Sequence, residues 1–525
     1  MKKQVILVVS FICFLTNLLT AQTAGSIDPA FGNGGPIVFQ AGNQHDNLNA
    51  LATQSDGKTV FCGVGRVAAT TGFNFDMVTG RRNLDGSLDS SFGTNGYVTK
   101  DFGVGSDYAY NLAIAANGRI VVVGAKSTTL NDVDWVVACL DTNGDYDTTF
   151  NHTGILVLAL TTGNDYAYDV DIQSDNKIVI GGVSGIAGFS TTKGTLVRLN
   201  PNGSLDSTFG VNGVLVSQPA VATYSQTFKS LVLLPNGSIV AGGWSKQSSN
   251  DRLFLAGFDA FGNVDSSFGT NGIVTNSGVE KVYSLALSNG FIYAAGVSVT
   301  EGTLSCYTTA GLISAGFGSS GTARYTQNAL NAFYGAIVQL DGKIVVAGTT
   351  GTAAFTRDLL TVRYLSNGSV DNTFGVSGSW VLSLSGGFED LNGIAMQADG
   401  KIMVGGFGAF TDNDMILARL LNDSASIISH IGDIRNQKQT WSIYPNPAQG
   451  REIYIVSKSG TTASTNRIAI YTSAGIEVLN FEKSAILNSS LGLKLNLPQT
   501  LSKGMYYVKI ISNTTIETVP LIIAN

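Results

Sequence analysis

One short phrase recurs seven times along this sequence: an aliphatic residue, an aspartate, two further residues, then Phe-Gly. Its phenylalanines are Phe31, Phe92, Phe150, Phe209, Phe268, Phe317 and Phe374, spaced by 61, 58, 59, 59, 49 and 57 residues. Clean copies read LDSSFG (88–93), LDSTFG (205–210) and VDSSFG (264–269). The copy at Phe150 ends in Asn151 instead of glycine, and the copy at Phe317 has lost its aspartate. Self-similarity at this period marks a chain assembled from one supersecondary unit whose hydrophobic faces are buried only by neighbouring units.

Each unit carries four strand signals. A short apolar run follows Phe-Gly, as in NGYVTKDF (95–102). An alternating stretch then ends in a tight turn, for example Asp56-Gly57, Asn117-Gly118, Asn236-Gly237, Asp341-Gly342 or Asp399-Gly400. These residues tolerate the positive φ that a two-residue hairpin requires. A third run such as KIVVAG (343–348) follows at once, and a fourth such as DLLTVRYL (358–365) leads to the next anchor phrase. Four antiparallel strands repeated radially make propeller blades. The hairpin fits the two inner strands and the post-Phe-Gly run fits the outermost. On that order GGPIVF (34–39) is an outer strand without inner ones, and 390–421 is an inner triplet without an outer one. The pattern predicts an all-β, seven-bladed β-propeller over 22–422, closed by its N-terminal strand, because a ring open there would expose a raw edge.

The set LDxxFGxxG, Asp-Tyr-Ala before the inner hairpin, DGKIVVxG and a closing Arg-Leu or Arg-Tyr resembles the delta-60 repeat of secreted bacterial proteins. That resemblance implies the propeller fold and no defined activity. The unit over 276–325 departs furthest, lacking both the Asp-Gly-Lys turn and the anchor aspartate.

Lys2 and Lys3 precede an apolar run from Val5 to Leu19 and small residues around Ala21, the layout of a secretory signal peptide over 1–21. The run falls short of the roughly 20 residues a membrane-spanning helix needs. Only 13% of residues are charged and the net charge is −6, which leaves no basic field for nucleic acid. Cys13 is an ordinary apolar position of the run from Val5 to Leu19; Cys62, Cys139 and Cys306 are too few and too scattered for a disulfide framework and read as small buried apolar residues.

After Leu421 the pattern changes. Residues 423–440 are polar and non-periodic, a linker, and 441–525 read as a small Ig-like β-sandwich without the anchor phrase. Pro445-Asn446-Pro447, the stretch Tyr471–Gly475 and LSKGMYYV (501–508, with Gly504 and Tyr506) resemble the type A C-terminal sorting domain of the type IX secretion system of Bacteroidota. The resemblance implies export through the outer-membrane secretion machinery and a secreted or cell-surface destination.

Catalytic motifs are sparse. His45, His152 and His430 are dispersed, and no zinc spacing, nucleophile elbow or phosphate loop occurs, so no cofactor and no metal are expected. DTNGDYD (141–147) imitates the start of a calcium loop, but its glycine and twelfth residue are misplaced. One rim of the propeller gathers carboxylates: Asp107, Asp165, Glu389 and Asp390 before inner strands, and Asp76, Asp134, Asp251, Asp358 and Asp414 before third strands. Residues that recur in every unit serve first what every blade needs. Residues that break the symmetry are the better pointers to a ligand: Trp135, Trp244, Lys246, Arg252 and Arg357, all placed on that rim. Tryptophan faces and arginine forks suit sugars or protein partners. The expected role is a binding or scaffold module for a glycan or surface protein. The alternatives are a carbohydrate-active enzyme using the rim acids and a purely structural surface-layer component.

Overall fold

A computed structural model describes residues 23–423 except 43, 67–73, 104, 130–131, 187–188, 218–224, 248–249, 277, 279, 340 and 411, and, further on, 441–444, 452–457, 464–472, 477–486, 493–498, 501, 504–512 and 516–523. The chain divides into two compact units, Met1–Ser426 and Ile427–Asn525. Apart from one short 3-10 turn at Gly32–Gly34, every described element is a strand. Among the described residues no helix is long and apolar enough to cross a membrane.

Seven four-stranded antiparallel sheets form the first unit, six of them from consecutive strands. Blade 2 shows the pattern: Asp107–Ile114, Ile120–Thr129, Asp132–Leu140 and Ile155–Leu158, from the innermost strand outward. Blade 7 takes Glu389–Met396, Ile402–Ala409 and Asn413–Leu420 from the end of the repeat region, and its fourth strand is Ile37–Phe39. That strand pairs Ile37 with Leu417 and Phe39 with Met415.

The blades stick through their faces. Val121, Val123, Val137 and Cys139 of blade 2 pack with Ile178, Ile180, Val197 and Leu199 of blade 3. Met403, Met415 and Leu417 of blade 7 pack likewise on Leu48, Phe61 and Val78 of blade 1. Strands buried on both faces explain the near-continuous apolar runs of the second and third strands. Each fully buried Val, Leu or Phe contributes about 1.5–3 kcal/mol relative to exposure, so these interfaces carry the stability of the ring.

The anchor phrase is a latch between blades. The Asp89 amide donates to Arg81 O (3.0 Å), and Asp89 Oδ1 accepts from Ser91 N (3.1 Å) and Oγ (2.6 Å). The turn drives Phe92 into the core, fully buried. The following glycine amide then crosses to the turn of the next blade, Gly93 N to Asn143 O (2.7 Å) and Gly210 N to Phe261 O (2.8 Å). At the last copy the acceptor comes from the N-terminal segment: Gly375 N donates to Ala24 O (2.7 Å). Gly25 there has φ +82, and a Cβ on it would meet Gly375 N at 2.4 Å, so only glycine fits.

Two cations hold the anchor aspartate. Arg81 Nε lies 2.7 Å and Lys58 Nζ 2.8 Å from Asp89 Oδ2. The same triad recurs as Arg198, Lys177 and Asp206, as Arg363, Lys343 and Asp371, and as Arg419, Lys401 and Asp28. Each arginine also lies over its anchor phenylalanine ring, as Arg81 does over Phe92 at 4.7 Å. The Asp-Gly-Lys turn, the closing Arg-Leu and the LDxxFG phrase are therefore one interaction written in three places. Where the aspartate is replaced by Ser314, the arginine position holds Cys306 and the lysine position Phe291. Cys62, Cys139 and Cys306 are buried free thiols.

The second unit has two sheets. Trp441–Tyr444, Glu452–Ser457 and Leu493–Asn496 form one; Glu477–Ile486, Ser464–Thr472, Gly504–Ser512 and Ile516–Ile523, in that order, form the other. Ile443, Ile453 and Ile455 of the first share one cluster with Ile468, Ile470, Tyr506, Val508 and Leu521 of the second.

Candidate functional site

Each innermost strand carries a β-bulge at the same level. The register skips one residue between Leu48 and Ala50, Ala109 and Asn111, Ala167 and Asp169, Phe228 and Ser230, Val282 and Ser284, Phe333 and Gly335, and Leu391 and Gly393. The skipped residues are Asn49, Tyr110, Tyr168, Lys229, Tyr283, Tyr334 and Asn392. A bulge re-aims the extra side chain, here around the propeller axis. Opposite each bulge the second strand has a glycine, from Gly63 to Gly406. A Cβ there would stand 1.7–2.0 Å from a carbonyl oxygen of the bulged strand. The glycine of the VxG signature is what lets that strand bend.

Five of these residues, Asn49, Lys229, Tyr283, Tyr334 and Asn392, line an axial cavity of about 530 Å³. Lys229, Tyr283 and Tyr334 line one end, and Asn111, Asp169, Ser230, Ser284 and Asn392 contribute polar walls among leucines and isoleucines. Lys229 Nζ lies 4.2 Å from the Tyr168 ring centroid and 5.5 Å from that of Tyr110. Burial pushes this amine down to about 8 against the pull of Asp169. Asp169 accepts from Asn111 Nδ2 (2.6 Å) and Leu231 N (2.7 Å), and burial pushes its carboxyl up to about 6.

Aromatic rings surround the axis toward the rim. Tyr108 stacks on Tyr110 at 5.7 Å, Tyr166 on Tyr168 at 5.9 Å, and Tyr110 meets Tyr168 at 5.2 Å. Across the axis a second group forms from Trp244, Tyr283 and Tyr334, with centroids 5.7 Å and 5.1 Å apart. Charged pairs edge this group. Lys281 Nζ is 2.9 Å from Asp251 and 5.2 Å from the Trp244 ring; Arg357 Nη2 is 2.8 Å from Asp390 Oδ2. Burial raises the Asp390 carboxyl despite Arg357.

Of the five symmetry-breaking residues, the structure brings Trp244 and Arg357 to this basin. Trp244 is half-buried and Lys246, two residues on, is exposed. Arg252 stands near the start of the strand Asn250–Phe258, where it pairs with Ser245, one position out of phase with Trp244, so its side chain takes the other face of the blade. Trp135 is a correction: it is 0% exposed, packs between blades 2 and 3, and donates from Nε1 to Val183 O (3.0 Å). Two of the rim acids before inner strands, Asp165 and Glu389, are spent on backbone amides. Asp165 is buried and accepts from Leu160 N, Thr161 N and Gly185 N at 2.8–3.0 Å, and buried Glu389 accepts from Leu384 N. Asp141 caps its own turn, accepting from Asn143 N (2.7 Å) and Asp145 N (3.0 Å). Tyr110, Tyr168, Tyr283, Tyr334 and Lys229 escaped the sequence reading because the bulge that aims them inward breaks the alternation; the glycine opposite, on the neighbouring strand, was the available signal.

Pro445, Asn446, Pro447 and Gly475 lie outside the described residues. Gly504 opens the strand Gly504–Ser512, opposite Ile523, and Tyr506 is buried in the core of the second unit.

Two family models match. A domain of unknown function (DUF5122) beta-propeller matches 115–150, 173–209, 234–268, 339–374 and 397–425, and a secretion system C-terminal sorting domain matches 442–524. No curated protein matches the sequence. Among solved structures, Sqt1 from Chaetomium thermophilum is 12% identical, covering 72% of this chain and 97% of its own, with a TM-score of 0.37. The GH93 alpha-L-arabinofuranosidase of Fusarium graminearum with arabinobiose is 10% identical, covering 75% and 99%, with a TM-score of 0.39. The chain is a beta-propeller protein of DUF5122 repeats that carries a type IX sorting domain, and it is secreted or displayed at the cell surface.

Proposed function

We propose that the propeller is a binding module that holds a surface glycan in the basin around its axis, after export by way of the sorting domain. The observation that carries this reading is the group Trp244, Tyr283 and Tyr334 edged by the Lys281–Asp251 and Arg357–Asp390 pairs. Aromatic faces take the apolar faces of sugar rings, and charged side chains at their edge take hydroxyls or carboxylates. Only some blades supply these groups, as a ligand site in a pseudosymmetric ring requires. The second reading, a carbohydrate-active enzyme, draws on Asp251 and Asp390, whose charges both act on the Tyr283 hydroxyl. A glycan array probed with purified full-length protein tests the first. Trp244→Ala is expected to lose retention of the bound glycan and keep its melting temperature. Unchanged retention in that variant would overturn the reading, and release of reducing ends from the glycan would transfer it to the enzyme.

A further inference from the structure

At the junction of blades 1 and 2 three carboxylates converge. One oxygen each of Asp76, Asp101 and Asp107 lie within 4.8 Å of one another. Oxygens that share a calcium ion at about 2.4 Å can stand at most about 4.8 Å apart, so the spacing admits one ion. Asp76 and Asp107 are buried and Asp101 is exposed.

The pseudosymmetry of the ring shows that this junction is built differently. At the blade 7 to blade 1 junction, the residues in register with Asp76, Asp101 and Asp107 are Asp414, Gln40 and Asp46. There the third group is an amide, and Gln40 Nε2 donates to Asp414 at 2.7 Å. The buried acid is satisfied on both oxygens: Asp46 Oδ2 accepts from Ala41 N (2.8 Å) and Gly42 N (3.0 Å), and Oδ1 from Arg66 N (3.2 Å). Asp107 is not. Its Oδ2 accepts from Phe102 N (2.8 Å), but Gly103 N turns to Asp101 Oδ1 (2.6 Å) and Ser127 N to Ser106 O (3.3 Å). Asp107 Oδ1 is left buried with no hydrogen bond, on a carboxylate that stands beside the other two acids. A buried carboxylate oxygen without a donor is costly, and a third acid in place of an amide increases that cost. An oxygen-ligated cation removes both.

We propose that Asp76, Asp101 and Asp107 bind a calcium ion that clamps blade 1 to blade 2. Three carboxylates with water completing the shell suit calcium, which accepts 6–8 oxygens, better than magnesium, which keeps most of its water. Rim-site affinity belongs in the range of extracellular modules, about 10⁻⁴–10⁻³ M. The ion ties the start of the third strand of blade 1 to the start of the innermost strand of blade 2, a junction that otherwise repels itself.

The test uses purified full-length protein stripped with chelator, titrated with terbium for luminescence and with calcium for thermal unfolding. Calcium at millimolar concentration is expected to raise the melting temperature and to displace terbium, with magnesium much weaker. Asp101→Asn, at an exposed position, is expected to keep the fold and weaken terbium binding by at least about tenfold. Asp134→Asn, at the neighbouring junction, is expected to leave the response intact. No saturable terbium signal with no calcium-dependent shift, full binding by Asp101→Asn, or loss of binding in Asp134→Asn would each overturn the proposal.

Discussion

The Arg419 guanidinium closes on Asp28 across nearly the whole propeller sequence, Nε to Oδ2 at 2.8 Å with both side chains 4% exposed. Lys401 reaches the same carboxylate at 3.2 Å, and Asp28 N donates to Arg419 O. The N-terminal segment thus fills the place that the internal anchor phrases fill elsewhere. Removing one partner of a buried ion pair costs about 3–5 kcal/mol. Arg419→Met is therefore expected to lower stability by about that amount, read by chemical denaturation. Arg324→Met, which breaks an exposed pair with Glu301, is expected to cost under about 1 kcal/mol. Deleting residues 22–40 removes the Ile37–Phe39 ladder as well and is expected to lower the melting temperature and promote aggregation. A deletion variant that melts like the parent would place the N-terminal segment outside the ring.

Stability should pass through a maximum at mildly acidic pH. Burial alone would raise Asp28, Asp89, Asp206 and Asp371, but hydrogen bonds and their lysine and arginine partners outweigh it and hold all four below the usual carboxylate range. Their contribution is full above the ordinary carboxylate pKa and is lost as pH falls through the lowered folded values. Asp76, Asp107 and Asp169 act in the opposite sense. Burial pushes each up to about 6, with Asp101 adding to the first two. Ionised, they cost stability, and the cost is relieved as pH falls from above about 6 toward about 4. In chelator, melting temperature should rise from neutral pH to about 5 and fall below about 4. A monotonic decline from neutral pH downward would mean that the raised acids do not govern the upper limb.

Strand count, blade number and the order of strands within a blade were legible because apolar periodicity and Asn-Gly or Asp-Gly turns are local signals. The chemistry of the anchor phrase was only half legible. Asp89, Lys58 and Arg81 are far enough apart in sequence that their convergence on one carboxylate needs the blade to be folded first. The basin was read least well. Trp135 and Trp244 look alike in sequence, each near the rim end of an inner strand. Trp135 opens the core-facing part of its strand, whereas Trp244 meets Tyr283 beside the axis. The ring of bulge residues has no linear pattern of its own, since Tyr110, Lys229 and Asn392 share only a register.

The glycine opposite each bulge offers a sharp steric test. A Cβ at Gly124 would lie 1.7 Å from Tyr108 O and 3.0 Å from Ala109 Cα. Backbone, not a flexible side chain, is in the way, so the bulge must flatten or the strands must part. Gly124→Ala is expected to cost about 1–3 kcal/mol in urea unfolding, as overpacked cores do. Gly400→Ala is a turn control with open space around its Cβ, and its cost comes from a φ of +83 alone. If Gly124→Ala is neutral, the bulge is not locked by that contact.

The boundary between the propeller and the sorting domain can be placed by two truncations. Residues 422 and 423 follow the last strand of the repeat region, yet they belong to its lattice of contacts. Arg363 Nη1 donates to Asn422 Oδ1 at 2.8 Å, and Asp423 Oδ2 lies 2.6 Å from Lys343 Nζ. A chain ending at Leu421 loses both and leaves the buried Arg363 guanidinium short of acceptors. It is expected to melt below a chain ending at Ser426, where the first compact unit stops. Both lack the residues matched by the sorting-domain model, 442–524. Both should therefore be retained inside the cell envelope, the longer one folded with native cooperativity. Fractionation showing the longer truncation in the medium would separate export from the C-terminal domain. Equal melting of the two would show that Arg363 finds other partners once Asn422 and Asp423 are gone.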